Sequence, residues 1–446
     1  MNTKSNISIG FIIKPIVFIL ALLTGSYLVL KIEKCKPSDL GFYQDIFKRE
    51  ILIKPSFIEY PLRETHKQLT DEELGYARIA WKYFENNLNP ETGLVNSVDK
   101  YNSTTIWDIS SSLHAVLSAY EIGIIDEETK KLRIETTMNS MLKMKLYNGK
   151  LPNKVYNVVT LNMATYDNRP SDIGVGWSSM DIGRFLGLCY RIMHNYPQYT
   201  YYVKELQKRW DLNLAIDNAT LMGIGFSFKD GVERMVQEGK LGYEQYSAKG
   251  FHFMGYDVLN AMSYTAFLKF TNIYGIQIGT DIREVRHHPS YNYILSDPYI
   301  LDGLEYGFDI YSRELAYRVF KVQKRRYQNT DIITAVGEGH VDQEPWFVYN
   351  CVYVDGKTWH CVSESGEDSS DLKTFSTGAA FGWYYLFDDE YSEILKQKAK
   401  NLYHPDLGWY AGVYEKTGEI NETITANVNA MVLQALNYRI GGRLNG

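Results

Sequence analysis

From residue 70 onward, apolar positions recur mostly at helical spacing and are separated by long polar stretches. Thr70-Asp-Glu-Glu73 has the pattern of a capping box, with Thr70 as N-cap and Glu73 at the third helical position. It opens a helix that ends near Asn89-Pro90, before a turn closing at Gly93. Asp108 is the expected cap of a helix whose apolar positions Ile109, Leu113, Val116, Leu117 and Tyr120 fall on one face. Another helix is expected from about Glu127 to Leu146. Ile182, Phe185, Leu186, Cys189 and Ile192 mark a further stripe, and Pro197 starts its partner, which runs to about Trp210. The same periodicity predicts helices over 254–272, 312–328, 376–387, 388–403 and 425–440. Loops around 213–250 and 329–375 carry short β-like runs, among them Trp346 to Val354 and Lys357 to Val362 about the turn Asp355-Gly356.

Bundles join their helices by short connections, whereas paired helices with long loops suit a toroid of helical hairpins. The βαβ alternation of a doubly wound sheet is missing. The expected fold is therefore all-α, an (α/α) toroid of helical hairpins with short β hairpins in the loops. It occupies residues 70–446 as one domain, because no Gly/Ser-rich or Pro-rich linker divides them.

Ahead of it, Pro15 to Leu30 is an uncharged apolar run, longer than a signal-peptide core and short of a full span. Charged residues follow in place of a small-x-small cleavage site, which favours an uncleaved anchor over a cleaved signal. Residues 1–36 are thus read as a membrane anchor or signal segment and 37–69 as a stalk and lead-in. The expected location is extracytoplasmic, at the inner membrane and facing the periplasm.

The net charge of −6 carries no basic footprint, so nucleic acid is not an expected partner. The 36 tyrosines are unusual; a ring with a polar tip suits the C–H faces and hydroxyls of sugars, although most should simply pack between helices. Four cysteines are too few for a disulfide scaffold. Cys189 lies on an apolar stripe. A two-residue turn at Asp355-Gly356 pairs Val354 with Lys357 and hence Cys351 with His360, so Cys351 and Cys361 are expected as free thiols. No zinc-binding spacing, phosphate loop or nucleophile elbow is present, and no metal or cofactor is expected. The adjacent His287 and His288 read as solvated loop residues.

Candidate chemistry lies in loop clusters where carboxylates stand beside Trp, Tyr and Gly. Partial desolvation there raises a carboxyl pKa toward the range of a general acid. Glycoside cleavage needs two such groups in different environments. The candidates are Asp108, Glu238, Glu244, Glu305 and Glu338, with Trp107, Tyr243, Trp346 and Trp409 as sugar platforms. Each has a plainer reading. Asp108 can serve only as a cap, Glu238 and Glu244 can pair with Lys240 or Arg234, and Asp302 and Glu305 can form a solvated helical turn. The tryptophans can be core.

Five of these stretches resemble the bacterial family known as the domain of unknown function 3131. They are Trp107-Asp108-Ile-Ser-Ser-Ser, Gly176-Trp-Ser-Ser-Met-Asp-Ile-Gly-Arg184, Glu238-Gly-Lys-Leu-Gly-Tyr-Glu244, Asp297-Pro-Tyr-Ile-Leu-Asp-Gly-Leu-Glu305 and Ser376-Thr-Gly-Ala-Ala-Phe-Gly-Trp383. The resemblance runs from about Glu72 to Tyr438; one local departure is Gly337 before Glu338, where Ser is usual. It implies a six-hairpin (α/α) toroid of the kind rich in glycoside hydrolases and lyases, associated with bacterial envelope or exopolysaccharide systems. The leading expectation is a membrane-tethered enzyme acting on an oligo- or polysaccharide, most simply an inverting glycoside hydrolase on a neutral glycan. A non-catalytic glycan-binding or scaffold subunit is the alternative, and a lyase comes third.

Overall fold

Helices that alternate between a solvated face and full enclosure organise this protein. The computed structural model describes residues 17–27, 53, 60–66, 68–227, 231–283, 285 and 290–445. Residues 17–27 form an exposed helix, and the rest of the apolar N-terminal run, Cys35, most of the stalk and His287-His288 lie outside the described residues. Among the described residues no helix is long and apolar enough to cross a membrane.

The unit Ile53–Gly446 carries twelve α-helices among its described residues. They are α1 (Asp71–Asn86), α2 (Ile106–Ile122), α3 (Glu127–Lys143), α4 (Ser179–Asn195), α5 (Thr200–Arg209) and α6 (Tyr243–Phe253), then α7 (Leu259–Met262), α8 (Asp297–Tyr306), α9 (Ile310–Thr330), α10 (Thr377–Leu386), α11 (Glu390–Ala399) and α12 (Ala426–Gly441). Each even-numbered helix packs on the next, and α12 returns to α2, so six helices close a ring. The odd-numbered helices pack outside it. The outer helices other than α7 keep exposed charged faces, while α8 is buried along its whole length and α10 along nearly all of it.

Small residues let the inner helices approach. A Cβ on Gly250 of α6 would stand 1.9 Å from the carbonyl oxygen of Gly183 on α4, so backbone meets backbone there. The ring interior is polar. Glu305 accepts hydrogen bonds from Tyr246 and Gln434, each at 2.7 Å, and lies 3.6 Å from both His114 and Arg184. Burial, helped by the charges of Arg191 and Arg184, holds His114 well below the ordinary histidine range, hence neutral.

Several expectations are met residue by residue. Thr70 and Glu73 form the reciprocal capping box of α1. Val354 faces Lys357 and Cys351 faces His360, as a two-residue turn requires, and Cys189, Cys351 and Cys361 are free and buried.

Others are corrected. The protein is not all-α, since antiparallel sheets of two to four strands fill the long loops. The helix expected over 254–272 is only the single turn α7. Leu268–Ile273 and Ile276–Asp281 form a hairpin instead, packed on α9. The β-branched and aromatic residues there, and the positive φ of Tyr274 and Gly275, suit a tight hairpin turn better than a helix. Asp108 is not the N-cap of α2. Thr105 is, and Asp108 is the third helical residue that bonds back to it.

Candidate active site

All six inner helices bring their N-terminal turns to one mouth of the ring. Trp107 and Asp108 come from α2, Met180 and Asp181 from α4, Tyr243 from α6, Asp297 from α8, Gly378 from α10 and Asn427 from α12. The three-stranded sheet Glu338–His340, Phe347–Val354 and Lys357–Ser363 adds Glu338, Phe347 and Tyr349. Of these elements α2, α4, α6, α12 and the sheet line a cleft of about 940 Å³. A small cavity of about 40 Å³, with Arg184 and Asp297 in its lining, shares its walls at Trp107, Glu338 and Asn427. Helix N-termini carry unpaired N–H groups and partial positive charge, so carboxylates gather there at reduced cost.

Those carboxylates fall into two neighbouring pairs and one tethered single group. The backbone N–H of Glu338 donates to Oδ2 of Asp297 at 3.1 Å. Burial, then the charge of Asp297, raises the Glu338 carboxyl far above its ordinary range; burial raises Asp297 as well. Both shifts favour the protonated forms of the two groups.

In the second pair, Oε2 of Glu238 accepts from the backbone N–H of Ser179 at 2.5 Å and from its hydroxyl at 2.9 Å. Ser179 is the first residue of α4, so the helix terminus fixes this carboxylate in place. Burial and the Glu238 charge push the neighbouring Asp181 up to about 7. Asp108 is only 3% exposed. It accepts from the backbone N–H and hydroxyl of Thr105 at 3.0 and 2.8 Å and from Asn427 at 2.9 Å. Burial raises its pKa, while those hydrogen bonds act in the opposite direction.

Rings complete the walls. The Arg184 guanidinium lies 4.5 Å from the centre of Trp107 and holds that indole from below. Burial, then the charges of Glu338 and Asp297, push the Tyr243 hydroxyl well above the ordinary tyrosine range, although no hydrogen bond of good geometry reaches it. Tyr293 and Tyr349 stack face to face at 3.8 Å. Among the described residues, no group of His, Cys, Asp and Glu side chains is arranged to hold a metal ion.

Residues 75–442 match the family described as protein of unknown function, DUF3131. The chain belongs to this family.

The DUF3131 chain matches no curated protein. Solved structures share its fold. One is a glucoamylase candidate from Bacteroides caccae, with 12% identity and a TM-score of 0.60 over 84% of this chain and 94% of that one. The endo-β-1,2-glucanase of Chitinophaga pinensis, solved with sophorotriose and glucose, has 12% identity and a TM-score of 0.58 over 84% and 94%. That of Talaromyces funiculosus, solved with sophorose, has 11% identity and a TM-score of 0.56 over 84% and 85%. The DUF3131 chain thus shares the (α/α) toroid fold of these structures.

Of the residues nominated from sequence, Asp108, Glu238, Glu338, Trp107, Tyr243 and Trp346 line the cleft. Three do not. Glu244 is fully buried one residue into α6 and pairs with Arg283 at 2.7 Å, which Asp281 also holds. Glu305 lies in the enclosed polar centre of the ring rather than on a solvated turn, and Asp302 beside it is bound by Lys249 at 2.5 Å. Trp409 is 0% exposed; its indole N–H donates to the carbonyl of Tyr76, and its ring packs against Tyr76 and Phe381.

Sequence reasoning missed Asp181, Asp297, Tyr293 and Tyr349. The first two had a signal. Ser178 and Asp181 stand at capping-box spacing, and Asp297 precedes a proline, a combination typical of a first helical turn. No local pattern distinguished the two tyrosines.

Proposed function

We propose that this protein hydrolyses glycosidic bonds in a polysaccharide, with Glu338 as general acid and Glu238 as general base. One observation carries this reading: a single aromatic cleft is lined both by Glu338, whose carboxyl burial raises toward the general-acid range, and by Glu238, whose Oε2 is fixed by the N–H and hydroxyl of Ser179 at the start of α4. The fold agrees, since glycanases share it.

The assignment follows from access as well as charge. Glu238 is half-buried, and among the described residues only its Oε2 accepts protein hydrogen bonds, which leaves the other oxygen for a water molecule. Asp108 has both oxygens engaged by protein and is enclosed, so it orients Asn427 and the α2 terminus instead. Protonated Glu338 gives its proton to the departing sugar oxygen while Glu238 draws a proton from the attacking water. This is single displacement with inversion at the anomeric carbon. The apolar run Pro15 to Leu30 supports placement outside the cytoplasm, tethered to the inner membrane and facing the periplasm. Cell fractionation checks this.

The test of the chemistry is to incubate the full chain with linear β-1,2-, β-1,3- and β-1,4-glucans and a β-1,6-linked glucosamine polymer, and to measure new reducing ends. Hydrolysis that disappears in Glu338→Gln supports the reading. Tight glycan binding with no new reducing ends would overturn it in favour of a non-catalytic binding subunit.

A further inference from the structure

Solved structures of this fold include both a glucoamylase candidate and endo-glucanases, so architecture leaves open whether a chain end or a chain interior is attacked. The placement of Glu338 within the cleft wall bears on that choice. Glu338 and His340 flank Gly339 on one short strand, so their side chains share a face. In the antiparallel register Glu338 stands opposite Tyr349, and His340 opposite Phe347. Directly opposed residues in such a ladder project side by side.

The rings continue beyond these strands. Centroid separations are 5.0 Å from His340 to Phe347 and 5.3 Å from Phe347 to Tyr349. They are 3.8 Å from Tyr349 to Tyr293 and 5.7 Å from Tyr293 to Tyr291. All five residues line the cleft and all are half-buried. Glu338 therefore lies next to the middle ring of the row, with rings continuing on either side of it. Burial holds His340 at about 4, so it contributes a neutral ring to the row.

A site that removes terminal sugars needs a closed pocket at one side of the acid. The recess beside Glu338 is the cavity of about 40 Å³ over Arg184. A water needs roughly 10–15 Å³ of such space, so the recess admits a few waters and no sugar ring. The open cleft, by contrast, is at the upper end of ligand-site volumes, which run to about 1,000 Å³.

We infer that the cleft binds a run of several sugars along the Tyr291–His340 row and cleaves glycan chains internally, with subsites on both sides of Glu338. This rests on the hydrolase reading above. The glycan of the panel that yields most reducing ends is offered to the full chain as a long polymer and as its trisaccharide, and products are sized over time. The expected result is a rapid fall in polymer length with a mixture of oligosaccharides at the earliest times. Tyr293→Ala and Tyr349→Ala should each raise KM for the polymer about tenfold and change the trisaccharide KM less, a ratio that a purely structural role would leave unaltered. Release of a single mono- or disaccharide from the first time point overturns internal cleavage while leaving the hydrolase reading intact. No reducing ends from any glycan removes both.

Discussion

The backbone N–H of Glu338 and the carboxylate of Asp297 meet at 3.1 Å, joining the loop sheet to the first turn of α8. Both carboxyl groups are raised above their unfolded values, so the folded protein holds protons that the unfolded chain would release. Stability from this source is complete below the ordinary carboxyl range and is lost as pH rises through the raised folded values. Glu338→Gln should therefore raise Tm relative to the native chain at mildly alkaline pH, and by less in acid. The same substitution should lower kcat by about 10²–10⁴-fold, the usual contribution of a positioned acid. Thermal melts and initial rates across pH check both.

Glu244 invites the opposite prediction. Its carboxylate is buried against Arg283, and removing one member of a buried pair costs roughly 3–5 kcal/mol. Asp281 remains to hold that guanidinium, so Glu244→Gln should cost toward the lower end of this range, read by urea denaturation. The folded fraction should keep its KM and its pH profile, because Glu244 does not line the cleft.

How far the sequence foretold this arrangement differs between the outer and inner helices. Thr70 and Glu73 lie on α1, an outer helix with one apolar face, and there periodicity and capping chemistry are readable. Among the inner helices α2, α4, α10 and α12 are legible from their apolar spacing, whereas α6 and α8, buried along nearly all their length, show no contrast between faces. The start of α6 hid behind Gly239 and Gly242, which read as loop. Glu305 was misread for the same reason: on an isolated helix two acids three apart signal solvent, whereas here the ring centre supplies Tyr246 and Gln434 as partners. Glu238 and Glu338 were found because they stand on loops beside glycine and aromatic residues, and loops carry function. Asp297 and Asp181 do not stand out in the sequence, since a helix terminus accounts for an acidic residue without any chemistry.

Two tryptophans separate platform from core. Trp346 is 56% exposed on the cleft rim, while Trp409 is fully enclosed. Trp346→Ala should leave Tm nearly unchanged and weaken glycan retention in affinity electrophoresis. Trp409→Ala should cost about 3–5 kcal/mol, as large-to-small core changes do, and give a protein that melts early or fails to accumulate. Equal loss of stability in both would show that the rim ring is structural.

Gly223 offers a way to move the proposed base without removing it. It sits on the strand Thr220–Ser227, and a Cβ there would lie 2.4 Å from Oε2 of Glu238. Its φ lies outside the left-handed range, so alanine is compatible with the backbone, and the atom in the way is the tip of a flexible side chain. Gly223→Ala should accordingly fold with a Tm close to the native value while the carboxylate swings away from Ser179. Losing that helix-terminus contact removes the orientation of Glu238. The expected consequence is a fall in kcat of about 10²-fold, the scale on which an ångström of misplacement acts, with KM little altered. Steady-state kinetics on the glycan that the native chain cleaves would read this directly, and an unchanged kcat would show that Glu238 is not the base.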